Sequence, residues 1–348
     1  MPQRSKEPAD YRRGPLRSVW PSPARVARRR TAKRADEEYG ATAEPDWREV
    51  DWISRQRDVE LDGAKVHYVD MGEGEAPPVV FVHGLGGCWQ NWLENLPAVA
   101  RGRRVVALDL PGFALSEMPR EEISITLFAN TVERLCQHLD LGHVAVVGNS
   151  MGGFTAAELA IRHPDRVERL VLVDAAGISL AEAKKAGMLL GNLIAKGGGG
   201  RPEQVRRALR RPGYTQAAFG TVMRHPTRIK RDLLAEQITG IGSPGFAPSL
   251  RALMSYDFRD HLSEISCPTL VVQGDQDILV PLGDAREYER RIPRATSLIL
   301  ADTGHVPMME RPITFNRALL EFLSQEVAPD QPSPGEEPIL AEGSERAV

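Results

Sequence analysis

The chain has 348 residues, 42% of them hydrophobic and 26% charged, with three cysteines (Cys88, Cys136, Cys267) that form no CxxC. These proportions exclude a fibrous repeat, a membrane bundle, a disulfide framework and a cysteine-rich zinc site. The net charge of −3 divides unevenly: residues 1–34 hold eleven Lys/Arg against Glu7 and Asp10, giving +9, so the remainder sums to −12.

Residues 1–46 mix Pro, Arg and Ala with an acidic run (Asp36, Glu37, Glu38, Glu44, Asp46) and show neither a 2-residue nor a 3.6-residue apolar period. Without apolar surface to offset ordering entropy, this segment is expected to be a disordered basic tail. No apolar h-region follows the basic start and no run approaches about 18 apolar residues, so a cytoplasmic location is expected. Near an anionic membrane such a tail gains roughly 1 kcal/mol per basic residue, which makes weak membrane contact an expected interaction. Nucleic acid is not an expected partner.

Continuous β-branched runs follow at 66–69, 79–82, 105–108, 144–147, 170–173, 269–272 and 297–300. Unbroken apolar runs suit parallel strands covered on both faces. Helical periodicity lies between several of them. In 125–139, Leu127, Phe128, Val132, Leu135 and Leu139 share a face; 154–161 is small and apolar; 312–322 opens with proline and aligns Phe315, Leu319 and Phe322. Alternating strands and helices predict an α/β fold with a mostly parallel central sheet flanked by helices.

One interval breaks the rhythm. About 95 residues separate the strand ending near Val173 from the one starting near Thr269, although a crossover needs only about a dozen. Amphipathic pieces at 178–194, 204–209 and 228–238 predict an inserted helical cap over 178–260. The core then comprises 47–177 and 261–326, and residues 327–348, rich in Pro and Glu, form a second, acidic disordered tail. Met188, Leu189, Phe219, Met223, Phe246 and Met254 are candidates for an apolar ceiling over a site.

The strongest local signal is the run from Val144 to Gly153, VAVVGNSMGG. It places a G-x-S-x-G between a buried strand and a helix, where a serine at a sharp turn is forced out of the sheet. Ser150 is the candidate nucleophile, and Gly148 and Gly152 flank it because side chains there would collide. Serine needs a base held by a carboxylate. Four residues separate the strand at 297–300 from His305, which sits on a turn containing Gly304. After the preceding strand, the loop beginning Gly274-Asp275-Gln276-Asp277 offers two acids. Asp277, deeper in the loop, is preferred as the orienting acid, with Asp275 as a helper or loop-capping residue. An oxyanion hole requires two backbone N–H donors. Met151, just after the serine, supplies one, and Leu85 in the loop His83-Gly-Leu-Gly-Gly87 the other. His83 is expected to fix that loop. No metal or organic cofactor is called for.

Five segments together, HGLGG (83–87), DLPGFALS (109–116), GNSMGG (148–153), GDQDILVP (274–281) and GHVPMMERP (304–312), resemble a capped serine hydrolase of the α/β-hydrolase fold family. The similarity covers about residues 58–325. It implies structural roles for Asp109 and Glu310. Ala114 departs from the family, where glycine is common. GNSMGG resembles both esterase and lipase relatives and the carbon–carbon hydrolases of ring-fission (meta-cleavage) products. The latter typically carry Trp after the catalytic histidine, where this chain has Val306. The expectation is therefore a hydrolase of small or lipid-like apolar carboxylic esters. The alternatives are carbon–carbon cleavage and a non-catalytic binding protein, the last disfavoured because every triad position is present.

Overall fold

A computed structural model of the chain describes residues 37–179 and 207–325. Its centre is one eight-stranded sheet in the order β1-β2-β4-β3-β5-β6-β7-β8. The strands are β1 Gln56–Leu61, β2 Ala64–Met71, β3 Ala76–Val82, β4 Arg103–Leu108, β5 Val144–Asn149, β6 Val167–Val173, β7 Thr269–Gly274 and β8 Ala295–Leu300. From β4 through β3, β5, β6 and β7 to β8 the pairing is parallel. β1 and β2 add an antiparallel edge.

Each central strand is apolar on both faces, and alternation divides the core in two. Val80, Val82, Val106, Leu108, Val146, Leu170 and Leu172 pack with Phe128, Val132, Phe154 and Tyr288 on one side. Those residues come from the helices Ile125–His138, Met151–Arg162 and Leu282–Arg291. The intervening Val79, Phe81, Val105, Ala107, Val147 and Val171 pack on the other side against Trp92, Leu96, Phe315 and Phe322. Helices on both faces are what makes a continuous apolar run stable as a strand.

All seven expected strands are present. β1 is an addition, and its sequence QRDVEL explains why periodicity misses it: on the open edge only Val59 is buried. The signal was the turn. Asp62 and Gly63, at φ 53° and 72°, join Leu61 to its partner Ala64 as a two-residue Asp-Gly hairpin.

Between β6 and β7 the chain makes an excursion whose described part is helical, with helices at Pro212–Phe219, Arg231–Glu236 and Phe246–Ser255. The expected piece at 178–194, with Met188 and Leu189, lies almost wholly outside the described residues, as do residues 1–36 and 326–348.

The expectation of a disordered tail through residue 46 needs correction, because residues 37–46 pack. Tyr39 and Ala43 are buried. The Tyr39 hydroxyl donates to Glu310 Oε2 and accepts from the His225 backbone N–H at 2.7 Å. Ala43 N–H donates to Glu94 Oε2 at 2.8 Å, and Asp46 caps the turn Trp47–Glu49. Hydrogen bonds and one aromatic ring hold this stretch, and neither has an apolar period to read. A chain starting at residue 46 should therefore melt several degrees below one starting at residue 37. It loses Tyr39 and leaves buried Glu310 short of a donor, at a cost of about 1–3 kcal/mol. Equal melting temperatures would show that the segment contributes nothing.

Candidate active site

Ser150 stands between the end of β5 and the helix Met151–Arg162, with φ 55° and ψ −117°. A non-glycine residue rarely holds this backbone, and it persists where surrounding structure over-determines it. Here the surroundings do. Ser150 N–H donates to Val173 O at 2.9 Å, and Ser150 O accepts from Ala176 N–H and Phe154 N–H, each at 3.1 Å. A Cβ on Gly148 would strike the Gly152 carbonyl, and one on Gly152 would strike the Val82 carbonyl. These glycines are what let helix, elbow and β3 meet.

His305 lies on the loop after β8 and is 5% exposed. Its Nδ1 is 2.7 Å from Asp277 Oδ2, in the loop after β7, so the structure brings these two predicted partners together. The other Asp277 oxygen accepts from Leu279 N–H at 2.7 Å and Val280 N–H at 3.2 Å. Burial pushes the Asp277 carboxyl up, but His305, Asp174 and the Leu279 N–H outweigh it and hold the pKa below the usual range. Asp275 instead accepts from Asp302 N–H at 2.7 Å, bracing one loop against the next.

Sequence reading missed the contacts that fix the His305 backbone. Asn149, one residue before the serine, donates from Nδ2 to both Val173 O and His305 O at 3.1 Å. His305 N–H donates to Val222 O in the excursion at 2.9 Å. Glu310 accepts from Gly304 N–H at 3.1 Å, Val306 N–H at 3.3 Å and Arg224 N–H at 2.8 Å. Asn149 and Glu310 stand within the motifs GNSMGG and GHVPMMERP; the groups they bind cannot be read there.

The loop 83–87 lies against the elbow: a Cβ on Gly84 would sit 3.1 Å from Ser150 Cβ. His83 fixes it. Nδ1–H donates to Gly84 O at 2.7 Å and Nε2 accepts from Leu110 N–H at 2.9 Å. Full burial lowers its pKa to about 4, so the ring is neutral. Asp109 accepts from Trp89 N–H at 2.8 Å and Leu115 N–H at 3.1 Å. Ala114 adopts φ 45°, the left-handed backbone for which glycine is the common choice.

Ser150, His305, Leu85 and Asn149 line a cavity of about 190 Å³. Its other walls are mainly apolar. Phe219, Met223, Leu250 and Leu253 come from the excursion, and Leu279, Val306 and Met309 from the loops after β7 and β8. Of the proposed ceiling residues, Phe219 and Met223 line the cavity, whereas Phe246 packs on Gly86. Among the described lining residues the ionisable side chains are Asp284 and His305. Asp174, Asp277 and His305 also come close enough to hold a metal ion, but Asp277 and His305 already face each other at hydrogen-bond distance.

Residues 77–312 match the family model described as alpha/beta hydrolase fold. The chain is 32% identical over 273 residues to a dihydrolipoyllysine-residue acetyltransferase component of an acetoin cleaving system from Pseudomonas putida, covering 76% of this chain and 68% of that one. It is 31% identical over 284 residues to a 2-hydroxy-6-oxo-6-phenylhexa-2,4-dienoate hydrolase from Comamonas testosteroni, covering 76% and 93%. Among solved structures, a bacterial membrane phospholipase A superposes with a TM-score of 0.62 at 26% identity, covering 86% of this chain and 91% of that one. Among the described residues no helix is long and apolar enough to cross a membrane.

His83 gives a pH test of this geometry. Its folded pKa of about 4 lies below the ordinary 6.5, so the unfolded chain takes up its proton first. The stability it contributes is present above about pH 6.5 and lost as pH falls towards 4, amounting to roughly 3 kcal/mol. His83→Gln should therefore destabilise at neutral pH, with a deficit that narrows by that order at acid pH. Thermal melts of both proteins across the window check this; parallel curves would contradict a buried neutral imidazole.

Proposed function

The chain belongs to the α/β-hydrolase fold family, and on that premise we propose that it is a serine hydrolase of neutral carboxylic esters with Ser150, His305 and Asp277 as its triad. The observation that carries this reading is the shared cavity: a serine forced into a left-handed elbow, and a histidine whose far nitrogen is bound to a buried carboxylate.

In this mechanism Ser150 Oγ attacks the acyl carbonyl while His305 Nε2 takes its proton. Asp277 fixes the tautomer that leaves Nε2 free and stabilises the imidazolium that forms. The N–H groups of Met151 and Leu85 receive the oxyanion. Met151 opens its helix, so its N–H has no partner within the helix. The tetrahedral intermediate collapses, His305 protonates the departing alkoxide, and water then deacylates Ser150 by the same steps in reverse.

Ester cleavage is favoured over carbon–carbon cleavage of a dienoate by the cavity walls. A substrate carboxylate buried without a counter-charge is costly. The described lining residues supply no Lys or Arg. Val306 and Met309 border His305 with apolar surface that suits an acyl chain. The second reading, carbon–carbon hydrolysis, is favoured by the name of the Comamonas relative.

Ser150→Ala should abolish turnover and fluorophosphonate labelling without lowering the melting temperature, since a turn loses one hydroxyl; a labelled mutant would contradict the assignment. Asp277→Asn should cost on the order of 10⁴-fold in turnover, by analogy with the wrong-tautomer effect, and Asp275→Asn far less. On one preparation, kcat/KM for p-nitrophenyl esters of short-to-medium acyl chains should exceed that for a ring-fission dienoate by at least about a hundredfold, or some 3 kcal/mol. A preference for the dienoate would select the second reading.

A further inference from the structure

A second carboxylate stands behind the triad. Asp174 follows the last residue of β6, at φ 43°, and is completely buried. Its Oδ1 accepts from Gly274 N–H at 3.0 Å. Its Oδ2 is buried and meets no hydrogen-bond donor among the described residues. Yet one oxygen of Asp174, one oxygen of Asp277 and a ring nitrogen of His305 all lie within 4.8 Å of one another. Two anionic carboxylates this close in dry protein would each raise the other's pKa by about two units or more. A single proton between them removes the repulsion and gives Oδ2 a role as donor.

We propose that Asp174 is a positioning residue that stays protonated and donates its carboxyl hydrogen to Asp277, so that the pair carries one negative charge, lodged on the carboxylate that touches His305. The inference rests on the triad proposed above. Burial and the nearby Asp277 push the Asp174 carboxyl far up, whereas Asp277 is held low. The titratable groups around Asp174 are Asp277, His305 and, further off, Glu310. The single charge matters for catalysis. Two full negative charges beside His305 would favour the imidazolium over the neutral ring that acts as a base. One charge, held in place by the Asp174 O–H, the Leu279 and Val280 N–H groups and Gln273 Nε2 at 3.3 Å, orients the ring.

Asp174→Asn separates the two charge states, because the amide keeps a donor and cannot ionise. With a protonated Asp174 in the native enzyme, the acid limb of kcat/KM for a p-nitrophenyl ester should stay within about 0.3 pH unit, with kcat within about threefold. Asp174→Ala, which removes the donor and leaves Asp277 more basic, should move the acid limb up and lower kcat about tenfold with little change in KM. An acid limb that falls by a unit or more in Asp174→Asn would show an anionic Asp174 and overturn the proposal; so would an alanine variant that behaves as native. A readout independent of turnover and of variant folding is the infrared carboxylic-acid carbonyl band. Native protein at about pH 8, above the ordinary carboxyl range, should show this band, Asp174→Asn should lose it, and its absence from native protein overturns the proposal. If Ser150→Ala retains activity, the triad reading fails while the infrared result still reports on Asp174.

Discussion

The Glu310 carboxylate is the contact on which the arrangement around His305 depends. It is completely buried and accepts hydrogen from four groups: Gly304 N–H, Val306 N–H, Arg224 N–H and the Tyr39 hydroxyl. Two of these donors flank His305 in sequence, one belongs to the excursion and one to the N-terminal segment. A carboxylate so enclosed is expensive to bury unless its lone pairs are filled. Burial still pushes its pKa up, and the four donors pull against that. Loss of any one donor therefore acts on the other three and on the imidazole between them, because hydrogen bonds sharing one acceptor group are not independent.

The sheet supplies the other half of the geometry. β5 delivers Ser150, β6 is followed by Asp174, β7 leads to Asp277 and β8 to His305. These are consecutive neighbours in the sheet, so parallel pairing brings all four loops to one edge. Chemistry at the carboxyl ends of parallel strands is the general consequence of this architecture. The strain at Ser150 is sustained by backbone hydrogen bonds from β6 and its following loop, elements that hydrophobic burial already holds in place.

What the sequence made legible followed physical scale. Buried strands such as VAVV in β5 announce themselves because both faces are covered, and the turn after them is legible because only glycine fits where backbones nearly touch. Ser150, Asp277 and His305 could be picked out as candidates from such local patterns. β1 could not be named from its apolar content, since an edge strand needs little of it, although Asp62-Gly63 marked the hairpin. Residues 37–46 were misread because an isolated tyrosine in polar chain carries no period. Its partner Glu310 lies 271 positions away, and no spacing rule reaches that far. Asp174 was equally hidden: an aspartate closing an apolar strand reads as punctuation until the fold sets another carboxyl beside it.

The N-terminal segment also lies across the excursion like a strap. Tyr39 meets His225, Thr42 meets Lys230, and Arg48 pairs with Asp232 at 2.5 Å; Gly40 has no room for a side chain beside the Arg228 carbonyl. The excursion also touches the core backbone to backbone, with Gly245 N–H donating to Gly112 O at 2.9 Å. The walls of the cavity and the strap are thus one packed unit, although some 190 positions separate them in the chain. A recombinant enzyme that borrows residues 207–260 from a relative would import a surface shaped for a different strap. Transplanting substrate preference in this scaffold means exchanging residues 38–48 in the same step.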